Sequence, residues 1–160
     1  MKQVETLEEW LVKELTKRNA SITTAESCTG GLLSGRIVNA SGASRVFSHS
    51  FVTYSNDAKN HLLGVRKETL DSVGAVSEET AAQMAAGAAK AANAEVALST
   101  TGIAGPDGGT PEKPVGLVYI GCVCFDKTVV EKHVFHGTRM EVREASVEAA
   151  LVLAKKCLEE

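Results

Sequence analysis

Residues 21–38 read SITTAESCTGGLLSGRIV, in which two largely apolar runs flank the polar segment AESCTGG. The first run predicts a strand over residues 21–25. The second run, with Leu32, Leu33 and Ile37, predicts a helix that ends near residues 41–44. Glycines between the two runs permit the sharp turn that joins a strand to a helix. The stretch therefore predicts a strand–turn–helix unit typical of α/β proteins.

The rest of the chain continues this alternation of strands and helices. Apolar residues at steps of three and four predict a helix over residues 4–18, and Ser77 is the expected N-cap of an alanine-rich helix over residues 78–92. The other predicted helices cover residues 67–73, 139–158 and a short stretch through 62–63, and the other strands cover 46–55, 95–100, 115–125 and 128–135. A loop rich in Gly and Pro fills residues 101–114. We therefore expect one domain over residues 1–160, an α/β three-layer sandwich with a mixed, mostly parallel sheet flanked by helices.

Composition excludes several classes of function. The chain has 160 residues and a formal net charge of −3, which gives no uniform positive field for nucleic acid or an anionic membrane. Direct nucleic-acid binding is therefore not expected. No segment approaches the roughly 18 apolar residues of a membrane span, and the acidic residues of the first twenty positions do not fit a signal peptide. We expect a cytoplasmic protein.

Four cysteines, Cys28, Cys122, Cys124 and Cys157, have neither CxxC spacing nor a His at zinc-finger distance. Cys122 and Cys124 alternate along a predicted strand and should face the same side of it. We expect free thiols in or near the core, no metal ion and no cofactor, and a reducing compartment.

The segment AESCTGG has two readings. Backbone N–H groups at a glycine-rich strand-to-helix turn can bind a phosphate or an oxyanion, and Ser27 and Thr29 would add hydroxyls. The alternative is a turn that only caps the helix and packs closely.

Two further segments carry polar groups that could act chemically. Tyr54 and Lys59 follow the strand predicted over residues 46–55, and a partly desolvated lysine can accept a hydroxyl proton. The alternative is a half-buried tyrosine and a surface lysine. The loop of residues 101–114 could bring its backbone close to a ligand or could be a mobile connection. Arg139 and Arg143 share a helix face near its start, where either neighbouring carboxylates or a bound phosphate would offset their charge.

Five motifs occur in an order that resembles the CinA C-terminal domain family. They are TAESCTGG at residues 24–31, FVTYSN at 51–56, GAVS at 74–77, GIAGP at 102–106 and KPVG at 113–116. The resemblance spans nearly the whole chain, and within the family it is similar to the stand-alone nicotinamide-nucleotide amidohydrolases. It implies hydrolysis of the carboxamide of nicotinamide mononucleotide to nicotinic acid mononucleotide and ammonia, in pyridine nucleotide salvage.

The resemblance also implies a catalytic set of Ser27, Tyr54 and Lys59 that works without metal. Ser27 would attack the amide carbonyl, and Lys59 would accept its proton directly or through Tyr54. Turn N–H groups of Cys28, Thr29, Gly30 and Gly31 would stabilise the oxyanion. One helix terminus cannot easily hold both an oxyanion and a phosphate. We therefore expect the 5′-phosphate to bind Arg139 and the loop of Thr101, Gly102, Ile103, Ala104 and Gly105, with Thr29 and Gly30 as competitors. Glu26 would order the turn by accepting hydrogen bonds.

Three alternatives stay open at this stage. Cys28 is a rival nucleophile, because thiols near helix N-termini can have a lowered pKa. The chain could instead be a non-catalytic nucleotide-binding module linked to competence or the DNA damage response. The family also suggests a homo-oligomer, most simply a dimer, with nicotinamide mononucleotide as the small-molecule partner.

Overall fold

A computed structural model describes residues 3–160 and contains a five-stranded sheet with helices on both faces. The strands are β1 (Ile22–Glu26), β2 (Phe51–Val52), β3 (Val96–Gly102), β4 (Leu117–Cys124) and β5 (Lys127–Val134). The helices are α1 (Leu7–Lys17), α2 (Leu32–Val38), α3 (Asn56–Leu63), α4 (Lys67–Ser72), α5 (Glu78–Ala92) and α6 (Arg139–Glu159).

The strand order is β2-β1-β3-β4-β5. β1 pairs in parallel with β2 and β3, whereas β4 runs antiparallel to both β3 and β5. Four of the five strands therefore point the same way, and the predicted mixed, mostly parallel sheet is confirmed. Because β1, β2 and β3 are parallel, their carboxyl ends meet at one edge of the sheet.

Two apolar clusters complete the three layers. The larger one joins α1, α2 and α6 to one face of the sheet through Leu11, Leu33, Leu98 and Leu151. The smaller one joins α3 and α5 to the other face, around Met84. Cys122 and Cys124 both lie in the larger cluster, and all four cysteines are buried free thiols, as predicted.

Local capping sets several helix boundaries. α1 begins at Leu7 rather than at residue 4 because Thr6 forms a capping box with Glu9. Ser77 caps α5 as predicted, and Thr138 caps α6 in a second capping box with Glu141. No helix within residues 3–160 is both long enough and apolar enough to cross a bilayer.

The strand predicted over residues 46–55 is wrong in extent. Only Phe51 and Val52 form β2, and Phe47 adds an isolated bridge to Ile22. Between Phe47 and Phe51, hydrogen bonds with side chains of neighbouring elements take the place of the backbone hydrogen bonds of a strand. Thr23 donates to the His49 carbonyl, and Ser50 exchanges a hydrogen bond with Ser34. Residues 46–55 contain enough β-formers to predict a strand, but the competing side-chain hydrogen bonds interrupt it.

Candidate active site

A cleft of about 310 Å³ opens where the carboxyl ends of β1, β2 and β3 meet. This is the edge at which open α/β sheets usually bind ligands. Its walls come from the turn after β1, the start of α3, the segment before α5 and the loop after β3. The lining residues are Ser27, Cys28, Tyr54, Asn56, Lys59, Ala75, Val76, Thr101, Gly102, Ile103, Ala104, Gly105, Asp107, Gly108 and Arg139.

Ser27 and Lys59 meet at the bottom of this cleft. Lys59 Nζ lies 3.0 Å from Ser27 Oγ, although the two residues are 32 positions apart in sequence. Ser27 leaves β1 with its amide bonded to the Thr100 carbonyl, and Ser55 caps α3 so that Lys59 lies on the first turn of that helix. Both side chains are buried. The structure thus places the predicted nucleophile and the predicted base in direct contact.

The surroundings of Lys59 favour its neutral form. Burial lowers the pKa of Lys59 to about 8, against a smaller opposing effect of Cys28. Lys59 Nζ also lies 2.9 Å from the Thr53 carbonyl and 3.5 Å from the Tyr54 carbonyl. A neutral amine has two N–H donors and one lone pair. Two carbonyls can therefore take the donors and leave the lone pair for the Ser27 hydroxyl.

Glu26 organises the turn that carries Ser27. Its side chain is fully buried and accepts hydrogen bonds from the backbone N–H groups of Gly31, Leu33 and Ser34, at 3.2, 2.8 and 3.0 Å. Hydroxyl groups of Thr29 and Ser34 donate to the same carboxylate. This agrees with the predicted role of Glu26 in ordering the turn. It also places Glu26 beneath the turn, with no exposed atoms for a ligand.

The remaining residues of the turn divide between structural and available groups. Gly30 and Gly31 adopt φ angles of 56° and 107°, which favour glycine. The Gly30 amide donates to the Ser27 carbonyl and the Gly31 amide to Glu26. The Thr29 hydroxyl is buried between Glu26 and Thr100. The two glycine amides and the Thr29 hydroxyl are therefore not free to bind an oxyanion or a phosphate.

Cys28 does not have the properties of a reactive thiol. Its side chain packs in the cluster with α6, and burial raises the pKa of the thiol to about 11, despite opposing hydrogen bonds and the nearby Arg143. A reactive cysteine requires a lowered pKa and access to the ligand. The geometry thus favours Ser27 over Cys28 as the nucleophile.

Tyr54 and Arg139 meet at the mouth of the cleft. Arg139 donates to the Tyr54 hydroxyl at 3.1 Å and to the Gly105 carbonyl at 2.8 Å. Tyr54 is 63% exposed, so its hydroxyl points to the rim and not between Ser27 and Lys59. The structure therefore brings Tyr54, Gly105 and Arg139 together, but it separates the Tyr54 hydroxyl from the serine–lysine pair.

The loop after β3 forms the opposite wall mostly with backbone. The Thr101 hydroxyl donates to the Ala75 carbonyl at 2.7 Å, and the Ile103 amide donates to the Leu117 carbonyl. Gly102 is required sterically, because a Cβ there would come within 2.5 Å of Val118. Thr101 and Gly102 belong to β3 rather than to the predicted loop.

Sequence reasoning missed five residues of the cleft wall: Asn56, Ala75, Val76, Asp107 and Gly108. Asn56, Ala75 and Val76 lie in the motifs FVTYSN and GAVS, so those motifs were the signal that could have identified them. For Arg143 the sequence left two alternatives, an offset of its charge by neighbouring carboxylates or by a bound phosphate. Arg143 donates instead to the carbonyls of Cys28 and Thr29, at 3.0 and 3.1 Å. Within residues 3–160, no three His, Cys, Asp or Glu side chains group as metal ligands.

Comparisons with known proteins agree with this architecture. The sequence profile of the CinA C-terminal domain matches residues 4–158. A CinA-like protein of Kosmotoga olearia is 53% identical over 96% of this chain, and a putative competence-damage inducible protein of Thermoanaerobacter pseudethanolicus is 52% identical over the same share. The chain spans 37% of the length of each of these two relatives.

Solved structures give the same result. A competence/damage inducible protein from Agrobacterium tumefaciens matches with a TM-score of 0.93 and 40% identity, over 100% of both chains. A CinA superfamily protein from Escherichia coli matches with a TM-score of 0.91 and 33% identity, over 98% of this chain and 90% of that one. With the sequence profile covering nearly every residue, the chain belongs to the CinA C-terminal domain family.

Proposed function

We propose that this protein is an amidohydrolase that converts nicotinamide mononucleotide to nicotinic acid mononucleotide and ammonia, in pyridine nucleotide salvage. The observation that carries the proposal is the buried contact of 3.0 Å between Lys59 Nζ and Ser27 Oγ, at the bottom of an open cleft. A lysine whose pKa is lowered to about 8 can activate a serine near neutral pH.

In the first half of the reaction, the Ser27 oxygen attacks the carboxamide carbon while Lys59 takes the hydroxyl proton. The carbonyl oxygen becomes an oxyanion, which N–H donors of the turn stabilise. Lys59 then gives its proton to the departing nitrogen as the C–N bond breaks. Ammonia leaves, and Ser27 carries the nicotinoyl group as an ester.

In the second half, water attacks the ester carbon and Lys59 takes a proton from that water. The same oxyanion donors act again, and Lys59 returns the proton to Ser27 as the ester bond breaks. The products are nicotinic acid mononucleotide and the free enzyme. Every proton transfer in this reaction passes through Lys59, so no metal ion is needed to activate the nucleophile.

Substrate binding follows from the walls of the cleft. Arg139 lies at the rim, where a guanidinium can donate two hydrogen bonds to a phosphate in a bidentate contact. In the proposal, the 5′-phosphate replaces the Tyr54 hydroxyl or the Gly105 carbonyl as a partner of Arg139. The backbone of Thr101, Gly102, Ile103 and Ala104 supplies the wall along the rest of the nucleotide.

Tyr54 acts at the mouth in this proposal, and direct proton transfer between Ser27 and Lys59 is the route that the 3.0 Å contact supports. A Tyr54→Phe variant separates direct transfer from a relay. Direct transfer predicts a smaller loss of kcat than in Lys59→Met, together with a rise in KM. An equal loss of kcat in the two variants would favour the relay through Tyr54.

Ammonia release from nicotinamide mononucleotide tests the function directly. We expect turnover by the intact chain, loss of at least about a thousandfold in Ser27→Ala, and a change of less than about threefold in Cys28→Ala. A fully active Ser27→Ala protein would end the serine mechanism. Binding of the nucleotide without turnover would support the alternative, a non-catalytic nucleotide-binding module linked to competence or the DNA damage response.

The family resemblance also leads us to propose a homodimer. Met140 and Val152, on the long helix α6, are 47% and 41% exposed and could pack against a second copy. Sedimentation velocity at micromolar concentration measures the mass, and a monomer under those conditions would contradict the proposal.

A further inference from the structure

We infer that Arg143 is a positioning residue for the oxyanion site of the proposed reaction, because it fixes the turn whose Cys28 N–H faces the cleft. This inference rests on the proposed function. Arg143 lies on α6, and its guanidinium reaches across to the turn after β1, where it donates to the carbonyls of Cys28 and Thr29. Within residues 3–160, Arg143 forms no hydrogen bond with Ser27 or Lys59.

A peptide unit is planar and trans, so the carbonyl of one residue and the N–H of the next point in opposite directions. The Ser27 carbonyl accepts a hydrogen bond from the Gly30 amide at 3.1 Å. This bond turns the carbonyl towards the inside of the turn. The Cys28 N–H, in the same peptide unit, must therefore point out of the turn.

Arg143 applies the same constraint to the next peptide unit. Its Nε donates to the Cys28 carbonyl at 3.0 Å, which draws that carbonyl towards α6. The Thr29 N–H, in the same unit, must then point away from α6. Arg143 Nη2 also donates to the Thr29 carbonyl. The N–H of that peptide unit belongs to Gly30 and donates to the Ser27 carbonyl, so the guanidinium also fixes the bond that orients the Cys28 N–H.

The Cys28 amide, which these bonds orient, is the one that remains available at the cleft. In the part of the chain that the structure describes, the Cys28 N–H donates to no acceptor on another residue, whereas the Gly30 and Gly31 amides are both engaged. Thr29 is fully buried and does not line the cleft. Cys28 lines the cleft although its side chain packs in the cluster with α6. Its backbone is therefore the part that faces the cleft.

The position of Arg143 also leaves little freedom for movement. A Cβ added to Gly30 would lie 3.3 Å from Arg143 Nη2, so the guanidinium packs directly on the turn. Because preorganised donors stabilise an oxyanion only when they are held in place, loosening the two carbonyls should weaken catalysis without removing any catalytic group.

Two substrates test this role. Nicotinamide mononucleotide carries a phosphate, whereas p-nitrophenyl acetate carries none but also forms an oxyanion when Ser27 attacks it. In Arg143→Met, which keeps the length of the side chain and removes its donors, we expect kcat/KM to fall by about a hundredfold for both substrates, through kcat. Arg143→Lys, which keeps one donor group, should recover part of the loss for both.

Arg36→Met is the matched control. Arg36 also joins α6 to another element, since it bonds Glu148 and the buried Glu8, but it does not touch the turn. We expect this variant to lose stability and to keep its kcat for both substrates while folded. Circular dichroism at the assay temperature verifies that each variant is folded, and Ser27→Ala measures the ester hydrolysis that does not pass through Ser27.

The possible outcomes distinguish a positioning role of Arg143 from phosphate binding, and they test the proposed substrate separately. A loss confined to the nucleotide would show that Arg143 binds phosphate and would overturn the positioning role, as would unchanged rates for both substrates. If the unmodified protein cleaves the ester at Ser27 but not the nucleotide, the proposed substrate is wrong, while the ester rates still decide the role of Arg143. If it cleaves neither, both ideas fail.

Discussion

Lys59 Nζ lies 3.0 Å from Ser27 Oγ, and Lys59 is only 1% exposed. In proteins, a lysine is almost never fully buried unless a charged partner lies next to it. Here the ammonium group would face two backbone carbonyls and a hydroxyl, with no carboxylate among its hydrogen-bond partners. This burial carries a cost in stability and, in the proposed mechanism, supplies the neutral amine that activates Ser27.

The first prediction concerns the pH dependence of activity. In the proposed mechanism, neutral Lys59 is the active form. Because the pKa of Lys59 is lowered to about 8, kcat/KM for amide hydrolysis should rise with pH and reach half of its plateau near pH 8. Initial rates of ammonia release between pH 6 and pH 9.5 measure this. Cys28→Ala, which removes the group that opposes this lowering, should give a midpoint no higher than that of the unmodified protein. A rate that does not change across this range would contradict the role of Lys59 as the base.

The second prediction concerns stability. Between pH 8 and pH 10.5 the unfolded lysine binds a proton that the folded one does not, so the free energy of unfolding should rise with pH in that window. Relative to Lys59→Met, the unmodified protein should gain about 3 kcal/mol from pH 7 to pH 10.5. Urea unfolding of both proteins measures the difference. A constant difference would show that Lys59 keeps its ordinary pKa when folded.

The third prediction concerns Glu26. In Glu26→Gln, the NH₂ group of the new amide would face N–H donors, and buried partners of the carboxylate would lose their acceptor. The free energy of unfolding should fall by about 3 kcal/mol. Glu9→Gln removes a carboxylate that accepts one backbone amide at an exposed helix start, and it should cost less than about 1 kcal/mol. Equal costs would mean that the network around Glu26 is not needed for stability.

The fourth prediction compares two glycines inside helices. A Cβ on Gly35 in α2 would meet nothing within 4 Å, so Gly35→Ala should stabilise the protein by about 0.5–1 kcal/mol. A Cβ on Gly87 in α5 would lie 1.9 Å from the Leu63 carbonyl oxygen, so Gly87→Ala must separate α3 from α5. It should destabilise the protein by at least about 2 kcal/mol. Thermal unfolding measures both, and a shift of the same sign in both would contradict the packing.

The alternation of apolar runs was sufficient to predict the α/β sandwich, because periodicities of two and 3.6 residues are written locally in the sequence. Ser77 as the cap of α5 is likewise a local property. The strand predicted over residues 46–55 failed for a non-local reason, since the hydrogen bonds that interrupt it come from Thr23 and Ser34.

At the site, the order of residues is enough to identify the chemical groups that are present: a serine in a glycine-rich turn, a lysine after a strand, and a carboxylate beside the serine. The burial of Glu26, the contact of Lys59 with Ser27, the contact of Tyr54 with Arg139 and the hold of Arg143 on the turn all depend on the folded chain. They could not be predicted because the partners are far apart in sequence. These contacts join residues 32, 85 and 115 positions apart, and only the packing of α3 and α6 around the sheet brings such residues together.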